Sequence, residues 1–149
     1  MPQNVRVIDL RAEIPWLAGG DVMAASEAAV PALRSELERL RFSLRELEGE
    51  RIVSDESFFD AIQRAFGAAP GILDGWDGLD GYLQQATGGL EDREAVLWHR
   101  TDASAFFSLR TVAEGVRRLM AWRDDVHPGT QLEVVLLGQT RDFPRPEGS

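Results

Sequence analysis

Two short runs constrain this chain more than anything else in it. Ala95-Val96-Leu97-Trp98 and the stretch from Leu132 to Leu137 are apolar at nearly every position instead of at alternate ones. A strand that is apolar on both faces must be covered on both, and a parallel sheet clad in helices does this. The segment between the two runs has the helical spacing such a crossover needs. Leu109, Val112, Val116, Leu119 and Met120 form one stripe, Ser108 is placed to cap it, and His127-Pro128-Gly129 stops it.

The same pattern extends upstream. Phe42, Leu44 and Leu47 read as a strand closing at Gly49-Glu50. Ser57 is then expected to cap a helix carrying Phe58, Phe59, Ile62 and Phe66 on one face, which Gly67 to Pro70 ends. Trp76, Leu79 and Leu83 continue helical spacing over a shorter stretch. With a further helix over Val22 to Phe42, begun or broken at Pro31, the order is helix, strand, helix, short helix, strand, helix, strand. That order predicts an α/β fold with a small three-stranded parallel sheet covered by helices, joined by right-handed crossovers. Val5, Val7 and Leu10 form a strand-like stretch ahead of a loop at Pro15-Trp16 and Gly19-Gly20, and Thr140 to Ser149, with two prolines and no apolar pattern, reads as a disordered tail. The expected organisation is an N-terminal extension over 1–41, a domain over 42–138 and a flexible tail over 139–149.

Composition removes whole classes of chemistry. The 149 residues include no Cys, so disulfides and thiolate metal sites are excluded and a reducing cytoplasm is the expected compartment. All 16 basic residues are Arg, which excludes Lys Schiff-base chemistry. The first residues lack the plan of a signal peptide, and no run approaches the ~20 apolar residues of a membrane helix, so no membrane partner is expected. Residues 42–138 carry 9 Arg against 17 acids and hold most of the net charge of -9. Such a field disfavours direct nucleic-acid binding and favours a basic protein partner. No P-loop, Gly-x-Gly-x-x-Gly or His-Glu-x-x-His motif occurs, and His99 and His127, one after a buried-strand run and one at a helix end, read as structural or solvent-facing.

One stretch is unusual: Asp74-Gly75-Trp76-Asp77-Gly78-Leu79-Asp80-Gly81 repeats Asp-Gly at a period of three. Asp-Gly favours turns, yet Trp76, Leu79 and Leu83 keep helical phase; as a helix, Asp77, Gly78, Gly81 and Gln84 face outward and Asp80 sits on the flank beside Trp76. Acids at a helix start are favourable for the macrodipole by roughly 0.3–1 kcal/mol each, which alone accounts for them. A calcium loop fits poorly, because EF-hand ligands are spaced by two and end in Glu. The third reading is an anionic patch that mimics phosphates and docks into a basic cleft. Among the tryptophans, Trp98 is assigned to the core, while Trp76 and Trp122 are candidates for the rim of a contact surface.

From Phe42 to Leu137 the chain resembles the barstar family, intracellular inhibitors of barnase-type ribonucleases. Leu47-Glu48-Gly49-Glu50-Arg51-Ile52 is similar to that family's first strand and following turn. Phe58 to Gly67 looks like its first helix, Trp76-Asp77-Gly78-Leu79 like its Trp-Asp-Ala-Leu inhibitory helix, and the closing Val-Val-Leu-Leu strand falls in its order. The resemblance implies a partner-binding surface comprising Asp77, Asp80, Asp74, Trp76, Gly81 and Asp124, with Asp77 at the central inhibitory position and Asp124 at an acidic contact of the long helix. It also marks departures. Gly81 stands where the family has its second inhibitory Asp, Asp80 where it has an aromatic, and Gly71-Ile72-Leu73-Asp74-Gly75 replaces an aromatic-rich loop. The implied function is a cytoplasmic protein inhibitor that blocks the basic active site of a ribonuclease, with no cofactor, no metal and no catalysis of its own. The alternatives are a regulatory interaction module with a non-nuclease partner, and a metal-dependent enzyme built on Asp74, Asp77 and Asp80.

Overall fold

The computed structural model describes residues 6–19, 22–67, 72–139 and Phe143. In chain order the elements are α1 (Leu10–Glu13), β1 (Ala18–Gly19), β2 (Met23–Ser26), α2 (Val30–Arg39), β3 (Ser43–Glu48), α3 (Asp55–Phe66), α4 (Gly75–Thr87), β4 (Arg93–His99), α5 (Thr101–Val126) and β5 (Gln131–Gly138). The sheet order is β1-β2-β5-β4-β3, with β2, β5, β4 and β3 mutually parallel and the two-residue β1 antiparallel to β2. The protein is thus α/β with a parallel sheet, as the continuous apolar runs require, but the sheet has four parallel strands and not three.

The additional parallel strand, β2, is Met-Ala-Ala-Ser, lies where the sequence predicts helix, and pairs Met23 to Ser26 with Val135 to Gly138. Small residues give it no β-branched signature, and only the open edge of β5 makes it a strand. A short 3₁₀ turn follows, and α2 begins at Val30 with Pro31 in its first turn, where a missing N–H costs nothing. The expected strand near Val7 is absent: Arg6 to Asp9 carry no regular structure and Leu10 opens α1, capped by the Asp9 carboxylate. Val5, Gly20, residues 68–70 and the tail positions 140–142 and 144–149 lie outside the described residues.

Alternation along β4 and β5 sorts the core into two layers. Ala95, Leu97, Val135 and Leu137 face α1 and α2, packing with Leu10, Ile14, Leu33 and Leu37. Val96, Trp98, Leu132 and Val134 face α3, α4 and α5, packing with Phe58, Ile62, Leu79, Leu119 and Trp122. Residues before position 42 therefore supply both a strand of the same sheet and the helix covering its second face.

Helix ends follow local chemistry. Ser54, not Ser57, is the N-cap of α3; the two serines satisfy one another's backbone donors, Ser57 N donating to Ser54 Oγ at 3.3 Å and Ser54 N to Ser57 Oγ at 3.0 Å. Gly67 closes the helix at φ 62°. Within α5, Ser108 leaves helical geometry (φ -156°, ψ 88°) and its Oγ accepts from Thr111 N, so the expected cap at Ser108 starts the second half of a kinked helix whose first half, from Thr101, the sequence pattern hides. At the end of α2, Phe42 N donates to Leu37 O and Arg41 N to Glu38 O, a Schellman closure with Arg41 at φ 66° where glycine is preferred. Arg41→Gly is expected to raise unfolding stability by about 0.5–1 kcal/mol in urea titration, because the arginine side chain is exposed and the left-handed strain is relieved; a loss of stability would show that position to be unstrained.

Candidate functional site

The three Asp-Gly pairs resolve into helix, and the reason is burial on one side. Gly75 takes φ 69°, a value that lets the chain turn sharply into α4. Leu79, Tyr82 and Leu83 are then buried, the Tyr82 hydroxyl donating to Gln63 O at 3.3 Å. Trp76 packs half-buried against the Phe58 and Phe59 rings, with centroids 5.6 and 5.0 Å away, and its Nε1 donates to Asp55 Oδ2 at 3.3 Å. These contacts outweigh the ~1 kcal/mol that each interior glycine costs a helix.

The opposite side of α4 is exposed. The Asp77 side chain, in the first turn, is 102% exposed, Asp74 is exposed just before it, and Gly81 leaves open space where a side chain would stand. Asp80 is different. Arg118 of α5 donates to its carboxylate, while the same guanidinium lies 5.9 Å from the Trp76 ring and 3.9 Å from Asp77 Oδ1. Arg118 Nε also donates to Glu114 Oε1 at 2.8 Å, and hydrogen bonds from Arg117 and then Arg118 hold the Glu114 carboxyl down at about 2. The acid that follows the exposed Asp77 by one turn is thus already paired within the chain.

Asp124 does not join this face. It lines a groove of about 310 Å³ with Val7, Gln131 and Glu133 and sits beside Arg123 at 3.2 Å. Its neighbour Asp125 instead lines the groove of about 310 Å³ between α4 and α5, with Asp80 and Gln84. One residue is a rotation of ~100° on a helix, so the two adjacent acids reach different surfaces. Trp122 is buried, its Nε1 donating to Thr87 Oγ1 at 2.8 Å, which makes it core and not rim.

A second polar cluster lies at the carboxyl ends of the strands, where ligands of open α/β sheets commonly sit. His99 Nδ1 is 3.1 Å from Glu27 Oε2 and its Nε2 is 2.7 Å from Glu46 Oε1; Glu46 also accepts from Arg34, and Glu27 Oε1 accepts from Arg100 N at 2.6 Å. Partial burial works to raise the Glu46 carboxyl, but hydrogen bonds from Arg34 and His99 overcome it and hold the group below its usual range. The surrounding hollow, about 470 Å³, is lined by charges already matched in pairs, Arg51 with Glu48 and Arg100 with Glu50. His99 is therefore a bridge between β2's end and β3, a role that residues 72 and 53 positions apart in sequence do not announce.

Among the described residues no group of three His, Asp or Glu is arranged to hold a metal ion, and no helix is long and apolar enough to cross a membrane. No protein-family model matches the chain, and no curated protein matches it either.

Proposed function

We propose that this chain is a barstar-like protein inhibitor that covers the basic active site of a ribonuclease with the exposed side of α4. The observation that carries the reading is the exposure pattern on that helix: Asp80 accepts a hydrogen bond from Arg118, whereas Asp77, 3.9 Å from the same guanidinium, and Asp74 stand exposed to solvent at a helix start. Carboxylates so placed present negative charge where a nuclease expects phosphate, and the net charge of -9 steers a basic partner toward them. The succession of strand, two helices, strand, kinked helix and strand from Ser43 to Gly138 supports the same reading, since it is the order the family resemblance implies. Occlusion requires no catalytic group and no cofactor. Asp124 lines a separate groove, and Asp125 and Gln84 line the one between α4 and α5.

The test is inhibition and calorimetric binding against a panel of small basic ribonucleases. At least one should bind with an affinity that falls as salt rises. Asp77→Ala should weaken that complex by at least about 2 kcal/mol, roughly thirtyfold in Kd, without lowering thermal stability. Equal affinity of the variant would remove Asp77 from the interface. Binding by none of the panel, together with recovery of a non-nuclease partner, would favour the interaction-module reading, for which the replacement of the family's second acid by Gly81 is the specific observation.

A further inference from the structure

The largest unexplained feature outside α4 is apolar. Phe106, Phe107 and Leu109 are 85, 60 and 70% exposed, the two rings meeting edge to face with centroids 5.4 Å apart. Single exposed apolar residues need no explanation, but three within four positions form a patch of the kind that marks a contact surface. The kink at Ser108 produces it: the first half of α5 ends at Phe107 and the second begins at Leu109, so neither half buries these side chains.

The patch is joined to the acidic helix by a short chain of hydrogen bonds. Ser108 Oγ meets Thr111 Oγ1 at 2.7 Å, Thr111 Oγ1 donates to Asp55 Oδ1 at 2.6 Å, and Asp55 Oδ2 accepts from Trp76 Nε1. Arg110, next to Leu109, reaches Asp55 at 3.6 Å. On the α4 side the first turn carries Asp77 and is preceded by Asp74 and the fully exposed Ile72. The kink of α5 and the first turn of α4 thus flank Asp55, with apolar residues on one side and the exposed carboxylates of Asp74 and Asp77 on the other.

The geometry points to Phe106, Phe107 and Leu109 as the apolar half of a two-part docking surface, engaging an apolar patch beside the basic site of the same protein that contacts Asp77. This inference rests on the reading of α4 as an inhibitory surface. A second copy of the chain is the weaker occupant, because self-pairing here would bring Asp74, Asp77 and the rest of a -9 charge against their equals. A basic partner meets no such repulsion.

The experiment is calorimetry with the ribonuclease that binds the unaltered protein, comparing Asp77→Ala with the triple substitution Phe106→Gln, Phe107→Gln, Leu109→Gln. Glutamine is a good helix former and the sites are exposed, so the triple variant should keep its thermal midpoint. It should bind at least about tenfold more weakly with an unchanged salt slope, while Asp77→Ala should lower the slope. Full affinity in the triple variant with loss in Asp77→Ala would overturn the apolar half and leave the acidic reading standing. A dimer of the unaltered protein, seen by sedimentation and abolished by the triple substitution, would assign the patch to a second copy and overturn the inference. Absence of binding to every ribonuclease would overturn both.

Discussion

Gly49→Ala is expected to cost at least about 3 kcal/mol of folding stability, enough to remove a large part of the margin of a domain of this size. Gly49 follows β3 in a 3₁₀ turn pressed against the junction of β4 and α5. A Cβ there would overlap the carbonyl oxygen of His99 and stand 2.5 Å from that of Arg100 and 2.8 Å from its carbonyl carbon. These are backbone atoms and cannot rotate away. The same contact carries a buried relay, since Gly49 O accepts from Ser104 Oγ at 2.7 Å and Ser104 Oγ accepts from Trp98 Nε1 at 3.1 Å. Moving the turn outward to admit a methyl group would therefore also leave the indole of a fully buried tryptophan short of its partner. The control is Gly81→Ala, where nothing lies within 4 Å and helix propensity alone should add up to about 1 kcal/mol. Urea unfolding of the two variants should move in opposite directions; a Gly49→Ala midpoint equal to that of the unaltered protein would show that the turn has room to give.

The contrast between these two glycines also shows what the sequence could reveal. The runs Ala95 to Trp98 and Leu132 to Leu137 announced strands because both of their faces are buried, and α4 announced itself because Trp76, Leu79 and Leu83 share a phase that packing then enforces. The strand β2 gave no such signal: Met-Ala-Ala-Ser suits helix and strand alike, and the open edge of β5, more than a hundred residues later, decides between them. The exposure of Asp77 was legible from its distance to Leu79 and Leu83. The capture of Asp80 by Arg118 was not, because it joins two helices 38 positions apart, and neither was the choice between Asp124 and Asp125, which depends on how α5 is rotated against α4. Hidden pairings of this kind set which acids stay exposed, so the candidate surface was readable as a helix face but not as a set of charges with their partners.

Arg45→Met should destabilise the protein by about 3 kcal/mol, for a reason local to the sheet. Glu94 on β4 is wholly buried, and Arg45 of the neighbouring β3 approaches its two carboxylate oxygens in a forked pair, Nε to Oε1 at 3.1 Å and Nη2 to Oε2 at 3.3 Å. The guanidinium also donates to Ala65 O at 3.2 Å and lies 5.2 Å from the Phe66 ring, which ties the end of α3 to the pair. Without Arg45 the carboxylate keeps, among the described residues, the Glu91 N–H at 2.8 Å, and removing one partner of a buried pair typically costs about 3–5 kcal/mol. The lower end applies, because the arginine side chain is 26% exposed and water can partly replace it. Replacing both members should behave differently. Arg45→Met with Glu94→Leu removes the desolvated charge along with its partner, so most of the loss should be recovered, and the coupling from the double-mutant cycle should be close to the cost of the single change. If Arg45→Met instead costs less than about 1 kcal/mol, the forked pair is no more than a surface contact and the junction of β3, β4 and α3 is held by its apolar side chains alone.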